Sequence, residues 1–208
     1  MIAIIDYGVG NLFSLEHSLK TVGAEVSVTS DAEVILRANR VILPGVGAFG
    51  DAAKKLRETG LDGPVKEVAA RGTPVMGICL GMQLLLEKSF EFGEHAGLGL
   101  IPGEVRPIAE VIPAELKIPH IGWNALILEK PHPIFKSVQP GDCVYFVHSY
   151  YGAKCADYVV ATAEYGAPLT AAVAKGNVCG CQFHPEKSGD VGLGILKAFC
   201  EWDGVEAC

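Results

Sequence analysis

Cys79 stands between two glycines in GICLG (77–81), where the apolar run PVMGIC gives way to LGMQLLLEK, an apolar stretch of helical spacing. A G-x-C-x-G at a strand-to-helix joint is the cysteine form of a nucleophile elbow. So tight a turn needs nearly side-chain-free neighbours, and glycine two before and two after supplies them. The sulfur then points into a crevice. The positive end of the following helix favours thiolate, and its free N–H groups can hold an oxyanion. Cysteine is equally a common core residue, so Cys79 alone leaves simple burial open.

A thiol nucleophile needs a base and a group to orient that base. CQFHPEKSG (181–189) offers both in His184 and Glu186. On an extended chain residues i and i+2 project to one side. Glu186 can then hold one imidazole nitrogen while the other faces a thiol, with Pro185 limiting the conformations between them. Taken singly, a surface histidine and a solvated carboxylate are equally compatible with the sequence. LPGVGAFG (43–50) adds a glycine-rich backbone after an apolar run, which can present N–H groups to a developing negative charge or simply make a turn.

The elements that must carry these residues alternate. Residues 2–6 read as a buried strand, 11–23 as an amphipathic helix with Gly23 past its end, and 25–30 as a strand. A short helix follows over 31–40, then a strand over 41–45, helices over 48–59 and 63–71, a strand over 74–79 and a helix over 80–88. Strand-helix alternation of this kind predicts a parallel sheet covered on both faces. After residue 97 proline and glycine become frequent. IPGEVRPI, CVYFVHSYYG, YVVATAEYG, LTAAVAKG and VCGCQFHPE read as shorter, partly antiparallel strands, and 189–202 as a closing helix. With no repeat, low-complexity tract or linker, the expectation is one domain over 1–208. The stretch 88–97 reads as ordinary loop. Cys179 and Cys181 share one strand face, which reads as packing of small residues.

Composition removes several classes of function. Half of the 208 residues are hydrophobic, a fifth are charged and the net charge is −7. An acidic chain without a basic patch argues against nucleic acid or an anionic membrane surface. No stretch is apolar and long enough to span a bilayer, and the opening MIAIIDYG lacks the basic start and cleavage site of a signal peptide. The seven cysteines are odd in number and the chain is not small, so free thiols in a reducing cytoplasm are expected, with a prokaryotic source. His148 has no HxH, CxxC or HExxH spacing around it, and a bound metal would quench the thiolate. Neither metal nor cofactor is expected.

Together PGVG (44–47), GICLGMQ (77–83) and QFHPE (182–186) resemble the class I (triad) glutamine amidotransferases, in the same Cys, His, Glu order and over nearly the whole chain. The resemblance implies a flavodoxin-like α/β fold: a central, mostly parallel sheet flanked by helices, with added antiparallel strands. It implies a glutaminase with Cys79, His184 and Glu186 as triad, and the Gly47 and Leu80 N–H groups as oxyanion hole. Gln83 would meet the substrate near its amide, Glu91 its α-ammonium, and the backbone at Ser149 and Tyr150 its α-carboxylate. Read without the family, Gln83 is a helix-surface residue, Glu91 a loop charge and HSY an edge strand.

IIDYGVGNLFSL (4–15), HIGWN (120–124), YFVHSYY (145–151) and HPEKSG (184–189) resemble one branch of that family, the one serving the histidine pathway. That branch implies a heterodimer in which ammonia passes to a (β/α)8-barrel cyclase. The cyclase makes imidazole glycerol phosphate and aminoimidazole carboxamide ribotide, with allosteric coupling between subunits. Asn11, Trp123 and Lys187 are then expected at the docking surface, although a tryptophan is as often a core residue. Anthranilate or aminodeoxychorismate synthase is the alternative partner, and DYGVGN and GWN argue against it. A dead scaffold is opposed by the complete triad, and a peptidase or γ-glutamyl hydrolase by the Gln83 and HSY contacts.

Overall fold

The computed structural model describes residues 1–205; Cys208 lies outside the described residues. Its main sheet has eight strands: β1 (Ile2–Ile5), β2 (Val26–Thr29), β3 (Arg40–Gly45), β4 (Val75–Cys79), β9 (Ile127–Leu128), β12 (Val159–Glu164), β13 (Pro168–Lys175) and β14 (Val178–Cys181), in the order β2-β1-β3-β4-β14-β13-β12-β9. The β2-β1-β3-β4-β14 portion is parallel, and β13, β12 and β9 continue it antiparallel. The expected mostly parallel sheet with antiparallel additions is therefore present.

Strand alternation explains why both faces are covered. Ile2, Ile4, Ile42, Met76 and Ile78 enter one apolar cluster with Leu15, Leu19, Ile195 and Phe199. Ala3, Ile5, Val41, Leu43 and Val75 enter the other with Ala52, Leu56, Val65 and Val68. Successive side chains point to opposite faces, so a strand apolar at every position must be sandwiched. The helices on the first face are α1 (Leu12–Thr21) and α6 (Gly189–Glu201). On the other lie α3 (Phe49–Glu58) and α4 (Asp62–Ala70), with the short α2 (Ala32–Arg37) beside them. Cys179 and Cys181 are fully buried on the first face, and every described cysteine is a free thiol.

The helix expected over 80–88 stops early. α5 is Leu80–Leu85, because the carbonyls of Leu84, Leu85 and Leu86 accept from Leu98, Leu100 and Gly99 rather than from a next helical turn. The stretch 88–97, expected as loop, forms the hairpin β5 (Lys88–Ser89) and β6 (His95–Ala96). With β7 (Glu104–Pro107) and β11 (Tyr150–Ala153) it makes a four-stranded sheet ordered β11-β7-β5-β6. CVYFVHSYYG is not one strand. β10 (Cys143–His148) pairs with β8 (His120–Ala125) in a separate ribbon, and the chain changes sheets at Ser149, whose carbonyl accepts from Ile108. VCGCQFHPE is strand only to Cys181. Pro185–Lys187 is a 3₁₀ turn closed by the Lys187 N–H on the His184 carbonyl.

Candidate active site

In an open parallel sheet, ligands bind beyond the carboxyl ends of the strands, where the strand order reverses. Here that reversal falls between β1 and β3. β3 ends at Gly45, β4 at Cys79, and His184 follows the end of β14. A cavity of about 440 Å³ opens at these three strand ends, beside the reversal rather than across it. Cys79, His184, Gly47, Leu80, Gln83, Glu91, Ser149, Tyr150 and Lys187 all line it.

Cys79 has φ +54° and ψ −111°, a conformation that side-chain-bearing residues rarely adopt. Its glycine neighbours are sterically required. A Cβ on Gly77 would lie 2.6 Å from the Gly81 carbonyl oxygen, and one on Gly81 would lie 1.8 Å from the Leu43 carbonyl oxygen. The elbow is thus wedged between β4, α5 and the end of β3. The loop leaving β3 carries Gly47, at φ +95° with open space around its Cα. Tyr7, buried and overlooked in the sequence, donates its hydroxyl to the Pro44 carbonyl at 2.8 Å and so fixes the root of that loop.

His184 is 2% exposed and its Nδ1 lies 2.8 Å from Glu186 Oε1. The 3₁₀ turn, not an extended chain, brings the carboxylate back to the ring. Burial opposes the charged ring. Hydrogen bonds with Cys79 and Glu186, and the charge of both, outweigh it and raise the His184 pKa to about 9. The imidazole therefore holds a proton across neutral pH, next to the sulfur.

The substrate end of the cavity is equally fixed. Glu91 Oε2 accepts from the Phe49 N–H at 2.5 Å, at the first turn of α3, which favours a carboxylate. The Gln83 amide donates to the Tyr150 carbonyl at 3.1 Å and to Gln182 Oε1 at 2.9 Å. The Tyr150 carbonyl also faces His148 Nδ1 at 2.8 Å. Burial, with added repulsion from His120 and His184, takes the His148 pKa down to about 4 against the pull of that bond. His148 Nε2 meets His120 Nδ1 at 3.1 Å, and His120 Nε2 meets Asn124 Oδ1 at 2.8 Å. Phe92, at the cavity wall with φ +52°, and His120 and Gln182, bonded behind the lining residues His148, Gln83 and Cys79, are residues the sequence reading missed. His120 and Gln182 carry one visible signal, their places in the motifs HIGWN and QFHPE, and Phe92 carries none.

Trp123 is 64% exposed, its ring 4.8 Å from that of Tyr145, so it is a surface and not a core tryptophan. Lys187 Nζ lies 5.7 Å from the same Tyr145 ring and joins this surface to the cavity rim. Asn11 precedes α1 without a side-chain cap bond and does not line the cavity. No described helix is long and apolar enough to cross a membrane.

The chain matches the family model described as Glutamine amidotransferase class-I over residues 3–200. It is 54% identical over 200 residues to the imidazole glycerol phosphate synthase subunit HisH of Bacillus cereus, covering 96% of this chain and 93% of the relative. It is 51% identical over 202 residues to the subunit of the same name from Caldanaerobacter subterraneus subsp. tengcongensis, covering 97% and 98%. Its fold is similar to a solved structure described as a glutamine amidotransferase, with a TM-score of 0.74 and 20% identity over 96% of this chain and 100% of that one.

Proposed function

Because the chain belongs to the class-I glutamine amidotransferases, we propose that it hydrolyses L-glutamine to glutamate and ammonia with Cys79, His184 and Glu186 as triad. The observation that carries this reading is the buried Cys79–His184–Glu186 arrangement, its imidazole pKa raised to about 9, with Cys79 and His184 lining a cavity that Gln83 and Glu91 also line and Glu186 behind the ring. The family match over 3–200 supports the chain's working as one amidotransferase domain.

The Cys79 thiolate attacks the carboxamide carbon, and the negative charge moves to its oxygen, where the Leu80 and Gly47 N–H groups receive it. The His184 imidazolium gives its proton to the leaving nitrogen. The C–N bond breaks, ammonia departs and a γ-glutamyl thioester remains. Water then adds to the thioester while neutral His184 takes a proton from it. The C–S bond breaks, thiolate and imidazolium are restored, and the new carboxyl loses its proton to solvent. Glu186 keeps the ring oriented and stabilises its charge throughout. Both Gln83 amide hydrogens are engaged, so Gln83 meets the substrate through Oε1. Glu91 takes the α-ammonium, and the Ser149 and Tyr150 N–H groups take the α-carboxylate.

The ammonia goes to a (β/α)8-barrel cyclase, with this chain as glutaminase subunit of a cytoplasmic imidazole glycerol phosphate synthase. Identity of about half to two relatives of that name, over nearly their whole lengths, supports this. Exposed Trp123, with Lys187 and Asn11, supplies the docking surface. The test is glutamate release by the purified chain, alone and with the cyclase plus its nucleotide ligand. Stimulation by the liganded cyclase is expected. Steady turnover that ignores the cyclase overturns the partner, and silence in both conditions with Cys79 reduced overturns the glutaminase.

A further inference from the structure

The Gln182 side chain is fully buried and its Nε2 lies 3.6 Å from Cys79 Sγ. The orientation of this amide is fixed by its neighbours. The Tyr150 carbonyl can only accept, so Gln83 must turn Nε2 toward it. The same Nε2 then faces Gln182, which must present Oε1 at 2.9 Å. That leaves the Gln182 NH₂ group facing the sulfur. Turning either amide over would set acceptor against acceptor at Tyr150 or donor against donor between the two glutamines.

We propose that Gln182 is a catalytic residue whose amide N–H donates to the Cys79 sulfur and holds it as thiolate, aimed by the chain Tyr150–Gln83–Gln182. This rests on the reading of Cys79 as nucleophile. His184 alone supplies the proton for the leaving group; Gln182 supplies a neutral donor that needs no proton transfer and keeps its hydrogens through the whole cycle. Its contact is spent as the sulfur becomes a thioester and is regained as the thiolate leaves. Gln182 therefore favours the sulfur anion over the thiol before attack and favours its departure from the thioester. The same chain ties the sulfur to the Tyr150 backbone at the far end of the cavity.

The test compares the wild-type chain with Gln182→Met, which keeps length and apolar volume but has no N–H. Cys79 alkylation by iodoacetamide at pH 7 is followed by mass spectrometry of its peptide, alongside glutamate release with the cyclase present. A hydrogen bond to a charged group is lost, so alkylation is expected to slow about tenfold and kcat to fall while KM holds. Unchanged alkylation with lowered turnover overturns the proposal and leaves Gln182 a packing residue. If alkylated Cys79 still permits full turnover, the nucleophile reading itself has failed. Should Gln182→Met not fold, nuclear magnetic resonance of the Gln182 side-chain amide decides. Its signal is expected to shift with pH in the wild type and to stay constant in Cys79→Ala; no shift in the wild type overturns the proposal.

Discussion

Replacing Gly81 by alanine sets two physical expectations against each other. Gly81 lies inside α5, where alanine is the better helix former by about 1 kcal/mol. Its added Cβ, however, would stand 1.8 Å from the Leu43 carbonyl oxygen and 2.8 Å from the Leu43 carbonyl carbon, where ordinary contact begins at 3.4 Å. Both obstacles are backbone, so no side chain can swing away. The end of β3 and the start of α5 must part by about 1.5 Å, and overpacking of that kind costs about 3 kcal/mol. The net loss is about 2 kcal/mol, or roughly 4–8 °C in Tm for a chain of this size. The same displacement carries the loop that bears Gly47 away from Cys79, and a misplacement of about 1 Å at a reacting centre costs about 100-fold in rate. Thermal unfolding and cyclase-stimulated glutamate release measure the two effects. A Gly81→Ala chain that melts higher and keeps full turnover would refute the steric account of the elbow.

The raised pKa of His184 sets a pH dependence. The imidazolium is the acid that expels ammonia, so kcat should fall as pH rises through about 9. Folded His184 titrates above the ordinary value of 6.5, so its stabilising contribution is complete below about 6.5 and is lost as pH rises toward 9. Cys79→Ala removes one of the bonds that raise the ring, and the imidazole resonances should then titrate lower; an unmoved midpoint contradicts the assigned cause. Glu186→Gln keeps the size of the buried side chain but removes the charge beside Nδ1. It should lower kcat roughly 10²–10⁴-fold with KM little changed, since Glu186 does not line the cavity. Arg40→Met removes bonds from the guanidinium to the Phe199 and Trp202 carbonyls at the opposite end of β3. Tm should drop by several degrees, at about 2–4 °C per kcal/mol, with glutaminase activity retained.

What the sequence discloses about this site is what lies close together in it. Gly77, Cys79 and Gly81 fall within five positions, and the steric reason for Gly77 acts inside the same turn, whereas that for Gly81 comes from the Leu43 carbonyl of β3. His184 and Glu186 are likewise neighbours, and their pairing is found although the backbone between them is a 3₁₀ turn rather than the extended chain expected. Contacts between distant segments leave no such trace. Gln182 reaches Cys79 across 103 positions, and a buried glutamine in an apolar strand end looks like any other without its partner. The break between β10 and β11 is hidden for a similar reason. CVYFVHSYYG alternates as a strand should, and only its partners, β8 on one side and β7 on the other, divide it. Glu91 is legible through family resemblance alone, because its anchor is the first N–H of α3, 42 positions away.

Strand order turns those separate segments into one site. β3, β4 and β14 are adjacent and parallel, with Gly45 opposite Cys79 and Cys181 opposite Ile78. Three chain segments therefore leave the sheet at the same end, the middle one a single strand spacing from each of the other two, carrying the glycine-rich loop, the nucleophile and the base. Register fixes the rest. Sliding a strand by one residue turns every side chain to the other face, which would carry Cys179 and Cys181 out of the apolar cluster they share with Met76 and Ile78. The packing that holds β14 against β4 thus also sets the height at which Gln182 and His184 emerge beside the sulfur. Core and catalytic geometry are one constraint here, and this is why the small buried pair Cys179 and Cys181 stands immediately before the base.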